Sequence, residues 1–437
     1  MVLRIGLDDT DSPQGGCTTW VLTELLDLAR ERGVDLVGEP RLVRLNPNIP
    51  WKTRGNAALS AAFGRGAGTR RRIGVLRGKP LWSHAAARPL PPDDEAEFVE
   101  AAWERIRSRS RSEAGTDPAM VAASRRLPAD LYWRTVREVV DVEEVRELLS
   151  RRGARYFREG SGRGIVGAAA AVAWPGGHPT WELIAYRRAE RVGRPRRVDA
   201  RSVLRAQERF PQLFLCRDPR TRRLLVAPHS PCPILFGLRA TEPWASLGAR
   251  AEVRSEPVDR WVLFRTNQGS GDHLAVLPFR QIGPYRSAIV DGTVAEPPVV
   301  GRGGHARLIL ADSAGDRLDC LAFEPTKVLP AVARQLRPGD RLRVWGSRGA
   351  TGPFRLEGIR VVRLVPRLGP LRPPDCSRCG RRARSLGTGR GFRCPRCRHR
   401  WPVEAGRRSR LDPGVVRGTY HPTASARRHL APRAPEP

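Results

Sequence analysis

The sequence predicts a multidomain protein of α/β and α+β character that ends in a β-barrel and a metal-binding ribbon. Three observations carry that prediction. The first 125 residues alternate strand-like apolar runs with helix-period stretches. From about Tyr285 the texture changes to short strands. Four of the eight cysteines stand near the C-terminus as two Cys-x-x-Cys pairs. A chain of 437 residues has room for about three or four domains.

The elements follow in order. Val2–Leu7 reads as a strand that stops at Asp8-Asp9-Thr10-Asp11 and a Ser-Pro-Gln-Gly-Gly turn. Thr18–Arg32 places Val21, Leu22, Leu25, Leu28 and Ala29 on one helical face, and Gly33 stops it. Leu36–Leu45 reads as a second strand, and a further helix is expected to start near Asn56. Residues 1–125 then form an α/β unit with loops at its strand ends, where ligands usually sit. After Pro89–Asp93, the acidic stretch Asp94–Arg107 reads as a helix. A helix over Val142–Arg152 and a strand over Thr180–Tyr186 make residues 126–275 an α+β domain of ferredoxin-like pattern. Within 285–365, strands are expected at Ala288–Val294, Ala306–Ala311, Asp316–Ala322, Arg341–Gly346 and Phe354–Val362, with a helix over Thr326–Leu336. Five strands with a helix after the third is the order of an OB-fold barrel, a frequent nucleic-acid binder; another small barrel or sandwich is the alternative. A Pro- and Arg-rich linker leads to the cysteine cluster at 370–405 and a basic tail at 406–437.

The net charge of +33 points to a polyanionic partner, nucleic acid first and an acidic membrane surface second. GC-rich coding explains why 75 of the 78 basic residues are arginine, but not why bases outnumber the 45 acids. Asp8 and Asp9 interrupt any signal-peptide core, and the longest apolar run, Ile165–Trp174, is too short to span a bilayer. A cytoplasmic protein without a membrane partner is expected. Cys17, Cys216, Cys232 and Cys320 are scattered, which does not read as a disulfide framework.

Three motifs carry chemistry. Cys376-x2-Cys379 and Cys394-x2-Cys397, fourteen residues apart, offer four thiolates to one Zn²⁺. Such a site is coordinatively closed and therefore structural, and its seven neighbouring arginines suit phosphate. In the second motif, Asp8, Asp9 and Asp11 crowd three carboxylates at a strand end, which a hard cation such as Mg²⁺ would relieve. Gly15 and Gly16 allow close backbone approach to a phosphate, while Thr18 and Thr19 open a helix whose N-terminus favours anions. Together they suggest a cradle for ATP and metal that is not a Walker A loop; an acidic turn with a helix cap is the plain alternative. The third motif is the loop Asn46–Asn56, where Lys52 stands out in a chain that almost always uses arginine. A compact ammonium suits phosphate as a point charge.

The Gly-x-Asp-Asp-Thr-Asp-Ser start, Cys17-Thr18-Thr19 and the Asn46–Ala57 loop closely resemble the archaeal 2-agmatinylcytidine synthetase (TiaS) family. The resemblance continues through Arg163-Gly164, Gly167-Ala168, Glu182–Arg187, Phe264–Gly269, Asp272–Leu274 and Ser425–Leu430. It implies a kinase-like N-terminal domain, a ferredoxin-like domain, an OB-fold and a zinc ribbon. The implied reaction consumes ATP and replaces the carbon-2 oxygen of the wobble cytidine in the minor isoleucine tRNA with agmatine, so that AUA is read as isoleucine. The implied partners are agmatine and that tRNA, through its anticodon and acceptor regions; no protein partner is expected. By the same analogy Asp8, Asp9 and Asp11 hold Mg²⁺ and phosphate, and Thr18 matches a threonine the family phosphorylates. Charge adds Lys52 and Arg54 as phosphate ligands. Agmatine carries two cations, which makes Glu182 and Tyr186 candidates for its pocket, with ordinary strand packing as the alternative. Gly16 departs from the pattern, which has a side chain before the Cys-Thr-Thr. A non-catalytic nucleic-acid-binding protein would not need the clustered carboxylates. A small-molecule kinase would not need the basic C-terminal modules.

Overall fold

The computed structural model describes residues 2–12, 15–53, 55–110 and 116–433. They form two compact units. One holds the chain through Val290, Trp345–Glu357 and the segment from His421; the other holds Asp291–Val344 and Gly358–Tyr420.

The first unit is built on a ten-stranded sheet. In chain order its elements are β1 (Leu3–Asp8), α1 (Thr18–Glu31), β2 (Asp35–Arg44), β3 (Ala57–Leu76), β4 (Lys79–Arg88), α2 (Pro92–Arg109), β5 (Ala119–Ala123), α3 (Ala129–Arg137), α4 (Val142–Arg151), β6 (Arg155–Arg158), α5 (Gly164–Ala173), β7 (Thr180–Arg187), α6 (Ala200–Arg209), β8 (Leu213–Phe214), β9 (Ile234–Ala240), α7 (Pro243–Glu252) and β10 (Val258–Thr266). The strand order is β6-β5-β1-β3-β4-β2-β10-β7-β9-β8, so one sheet runs through both 1–125 and 126–275. Most neighbours are antiparallel, with β2 parallel to β4 and β10. Period-2 alternation sorts β1: Leu3, Ile5 and Leu7 enter the core beneath α1 and α2, while Gly6 on the other face meets α5.

The helix expected near Asn56 is instead β3, a strand of 20 residues. Its alanines and glycines read as helical, but Leu59, Ala61 and Phe63 join one core and Ala58 the other, which is a period of two. Arg77 and Gly78 both take positive φ, 46° and 78°, and close a two-residue hairpin into β4.

The later strands are β11 (Leu274–Val276), β12 (Ser287–Val294), β13 (Val299–Val300), β14 (Ala306–Ala311), β15 (Arg317–Ala322), β16 (Arg341–Ser347) and β17 (Phe354–Arg363), with α8 (Val328–Ala333) after β15. Their order is β11-β12-β16-β17-β15-β14-β13, and β12 also pairs β14. That closes β12, β14, β15, β17 and β16 into a five-stranded barrel. The helix starts later than the expected Thr326–Leu336 because Lys327 at φ 56° separates it from a 3-10 turn over Glu324–Thr326, and it ends at Ala333. Three short strands, β18 (Arg384–Ser385), β19 (Phe392–Arg393) and β20 (Arg400–Trp401), form the ribbon, and β21 (Gly418–Tyr420) pairs β17. No helix of the described residues is long and apolar enough to cross a membrane.

Candidate functional site

The end of β1 is shaped by two glycines of α5. A Cβ at Gly167 would overlap Asp8 Oδ2, and one at Gly164 would stand 3.3 Å from Asp9 Cβ. Helix and strand therefore meet closely only because those side chains are missing. Asp9 takes φ 58°, a left-handed conformation that costs a non-glycine residue on the order of 1 kcal/mol and turns the chain at the strand end. Its N–H donates to Asp8 Oδ1 at 2.8 Å.

The carboxylates crowd one another. Burial and the neighbouring Asp9 push Asp8 well above the usual carboxylate range. Burial, Asp117 and Asp11 raise Asp9 to about 6. Asp117 comes from the turn before β5, where it also accepts from Ser161 N–H at 3.0 Å. A fourth carboxylate thus joins the three read from the motif, from a segment more than a hundred residues away. Crowded, charge-disfavoured oxygens suit a hard cation.

Asp8, Asp9 and Asp11 line a cavity of about 360 Å³ with Asn46, Trp51, Lys52, Thr53 and Arg163, and Asp117 acts on it through Asp9. Lys52 donates to Ile49 O at 2.8 Å, and burial, then Arg428 and Arg355, lower its pKa. Arg163, to which the sequence attached no role, lies 4.3 Å over the Trp51 ring. Arg54 lies outside the described residues. The asparagines of the loop are structural: Asn46 and Asn48 both donate to Tyr285 O, Asn48 donates to Ser287 Oγ at 2.9 Å, and Asn56 donates to Asn46 O.

Thr18 does not line this cavity. It lines a second one of about 370 Å³ with Cys17, Thr19, Arg44, Glu182, Arg223, Cys232 and His429. Asp11, Gly55 and Ala57 line both, so Asp11 is the carboxylate common to the two. Gly16 takes φ 73°, so the departure noted in the motif places a glycine where glycine is favoured. α1 then starts with no side-chain cap and no acid in its first turn, which leaves its N-terminus open to an anion. Glu182 is buried, accepts from Gln268 and pairs with Arg239 at 3.2 Å. Tyr186, four residues further along β7, is fully buried and does not line the cavity.

The segment after β21 folds back onto these loops. Arg428 donates to Asn48 Oδ1 at 2.6 Å and pairs with Glu357 at 3.1 Å, and Glu357 also meets His273 Nε2 at 3.1 Å. Against the burial that would raise it, Arg428 and His273 hold Glu357 down at about 2. His429 Nδ1 lies 3.2 Å from Gln268 Oε1, and Gly269 N–H donates to His429 O at 2.8 Å. Consecutive tail residues thus hold the Lys52 loop and the Gln268–Glu182 pair.

In the ribbon, the four Sγ atoms of Cys376, Cys379, Cys394 and Cys397 all lie within 4.8 Å of one another. Three of the separations are 3.3, 3.5 and 3.9 Å. A Zn–S bond of ~2.3 Å makes the edge of a tetrahedron about 3.8 Å, so the donor set fits zinc. The knuckles repeat: Gly380 N–H returns to Cys376 O and Arg398 N–H to Cys394 O, with φ 69° and 61°. Backbone N–H groups of Cys397 and Arg396 draw Cys394 down to about 6, toward the thiolate that zinc requires. One Zn²⁺ per chain is the expected result of elemental analysis on purified protein. A stoichiometry near zero, with four titratable thiols in the native fold, rejects the assignment.

Known proteins match this arrangement along the chain. A family model described as the TiaS TCKD domain matches residues 4–161, one described as the TiaS FLD domain matches 162–273, and one described as the TiaS C-terminal zinc ribbon domain matches 373–407. The tRNA 2-agmatinylcytidine synthetase TiaS of Methanosarcina mazei, named for its isoleucine tRNA, is 35% identical, covering 98% of this chain and 96% of its own. The TiaS of Cenarchaeum symbiosum is 34% identical, at 98% and 91% coverage. Among solved structures, a complex of TiaS with its isoleucine tRNA and ATP superposes with TM-score 0.83 at 32% identity. A complex of TiaS with that tRNA, AMPCPP and agmatine superposes with 0.80 at 30%. Each covers 99% of this chain and 96% of that one. With a carboxylate cavity, an adjoining threonine cavity, a barrel and a four-cysteine ribbon in one chain, and full-length relatives above 30% identity, the protein belongs to the TiaS family of tRNA 2-agmatinylcytidine synthetases.

Proposed function

We propose that this chain uses ATP to conjugate agmatine to carbon 2 of the wobble cytidine of a minor isoleucine tRNA. The observation that carries the reading is the junction of two cavities at Asp11, with phosphate-type ligands in one and a buried carboxylate with Thr18 in the other. The carbon-2 oxygen of cytosine is a poor leaving group. Phosphoryl transfer to it, followed by attack of the agmatine amine at carbon 2, forms the C–N bond and releases that oxygen with phosphate. The wobble base leaves its stack to reach the site.

Each residue has its own part in this reading. Lys52, Arg163 and, by charge, Arg54 clamp the triphosphate, with Gly15, Gly16 and Thr19 forming its backbone cradle. Asp8, Asp9 and Asp11 hold Mg²⁺, which when bound neutralises phosphate charge. Thr18 stands across Asp11 as hydroxyl donor or phosphate acceptor. Glu182 attracts one cation of agmatine, while Tyr186, the other candidate, stays in the strand core. Residues 1–125 act as the kinase-like, ATP-binding part, 126–275 as the ferredoxin-like part, and 370–405 as the zinc ribbon, with 406–437 as basic tail. The barrel within 285–365, with strands joined 1-2-3-5-4-1, fits the OB type. A tRNA substrate places the protein in the cytoplasm.

The test is mass spectrometry of the wobble nucleoside after incubating protein, tRNA, ATP and agmatine. The expected result is a nucleoside heavier by agmatine less water, only when all components are present. Unchanged cytidine with full consumption of ATP overturns the reading.

A further inference from the structure

Helix α5 has carboxylates beside its start and arginines around its end. Beyond Ala173, Arg41 donates to Trp174 O at 2.8 Å and Arg265 to Gly176 O at 2.9 Å. Both guanidinium groups lie beside the Trp174 ring, at 5.8 and 5.9 Å. With Arg4, Ser60 and Glu39 they line a small cavity of about 80 Å³. That is room for several waters, hence for one tetrahedral oxyanion and not for a nucleotide.

Capping the helix does not account for this much charge. A helix C-terminus presents roughly half a negative charge, against three guanidinium groups here. Glu39, the one carboxylate among the described residues that line the cavity, is already paired with Arg71. Burial first, then Arg265, Arg4 and Arg126, bring Arg41 down to about 10. Arg265 Nε is buried without a hydrogen-bond partner among the described residues.

We propose that Arg4, Arg41 and Arg265 form a second oxyanion site that takes one phosphate group, separate from the carboxylate cavity. Arg4 and Asp8 share a face of β1 four residues apart, about 13 Å. A phosphate bound there sits within a few nucleotides' reach of the first cavity. The occupant is a backbone phosphodiester of the RNA or a free phosphate.

Two measurements on full-length protein decide it. The first follows thermal stabilisation by orthophosphate in wild type, Arg4→Gln, Arg265→Gln and, as a control, Arg151→Gln, an exposed arginine at the end of α4. The Arg4 and Arg265 variants are expected to bind phosphate at least tenfold more weakly, with Arg151→Gln retaining the wild-type response. The second follows tRNA affinity against salt, where losing one phosphate contact lowers the log–log slope by roughly 0.7–0.9. A lowered slope identifies a backbone phosphodiester. A lost orthophosphate response with an unchanged slope identifies free phosphate. Identical readouts in wild type and the Arg4 and Arg265 variants mean that the guanidinium groups only cap α5, and the proposal is overturned. Among the described residues the Arg4 side chain donates to the nearby Val2 O, a local bond, so Arg4→Gln decides if Arg265→Gln does not fold. The RNA measurement rests on the tRNA reading and the orthophosphate measurement does not, so the two can fail separately.

Discussion

Replacing Asp9 with alanine is expected to lower agmatine incorporation by roughly 10²-fold or more while tRNA affinity stays close to wild type. Asp9 sits in a strained left-handed conformation, where burial, Asp117 and Asp11 disfavour its charge and a cation entering the cavity would favour it. Its loss removes stabilisation needed as phosphate charge redistributes, and takes away no positive charge. Thr18→Ala should be equally inactive, and Thr18→Ser partly active, because serine keeps the hydroxyl that stands across Asp11. Agmatine incorporation measured beside filter binding reads both quantities. The same carboxylates set a pH dependence. Asp9 is raised to about 6, so its protonated form stabilises the metal-free fold at low pH, and that contribution is lost as pH rises through 6. Added Mg²⁺ should therefore raise the melting temperature more at pH 8 than at pH 5. Near-normal incorporation by Asp9→Ala would reduce the motif to a structural turn.

What was legible in the sequence was local. The alternation of Leu3, Ile5 and Leu7, the helical face of α1, the five barrel strands and the Cys-x-x-Cys pairs are each decided within a dozen residues or so, by periodicity or ligand spacing. β3 departs from the helix expected near Asn56 because alanine favours a helix locally, whereas pairing with strands on both sides decides the state of this segment. The assembly of the site was not legible either. Asp117 reaches Asp9 through sheet pairing of β5 with β1, and Arg163 reaches Trp51 through the packing of α5. Arg428 reaches Asn48 from 380 residues away. Composition marks the tail only as basic, yet Arg428 and His429 hold the loops of both cavities. Lys52 stands out by its rarity, whereas the asparagines beside it bond the protein itself across the fold, which no local pattern shows.

Gly167→Ala is the substitution whose effect local rules predict with the wrong sign. Alanine is favoured over glycine inside a helix by ~1 kcal/mol, and the rest of α5 after Gly167 is alanines and one valine. On propensity alone the variant should be more stable and fully active. The structure predicts inactivity, because the new methyl group would occupy the position of Asp8 Oδ2. Something must yield: either α5 lifts from β1, at a typical overpacking cost of about 1–3 kcal/mol, or Asp8 leaves its place beside Asp9. Gly6 fixes the first alternative as the costlier, since its missing side chain already lets Ala168 O sit directly against the strand. Asp8 is therefore expected to move, and agmatine incorporation to fall as far as in Asp8→Ala, with a small change in melting temperature. Gly177→Ala, where a Cβ would meet nothing within 4 Å, is the matched control and should be silent. The double variant Gly167→Ala/Asp8→Ala should be no worse than either single one, because both remove the same carboxylate from the same place. Wild-type activity in Gly167→Ala, or strict additivity in the double variant, would show that the close contact between α5 and β1 serves packing alone.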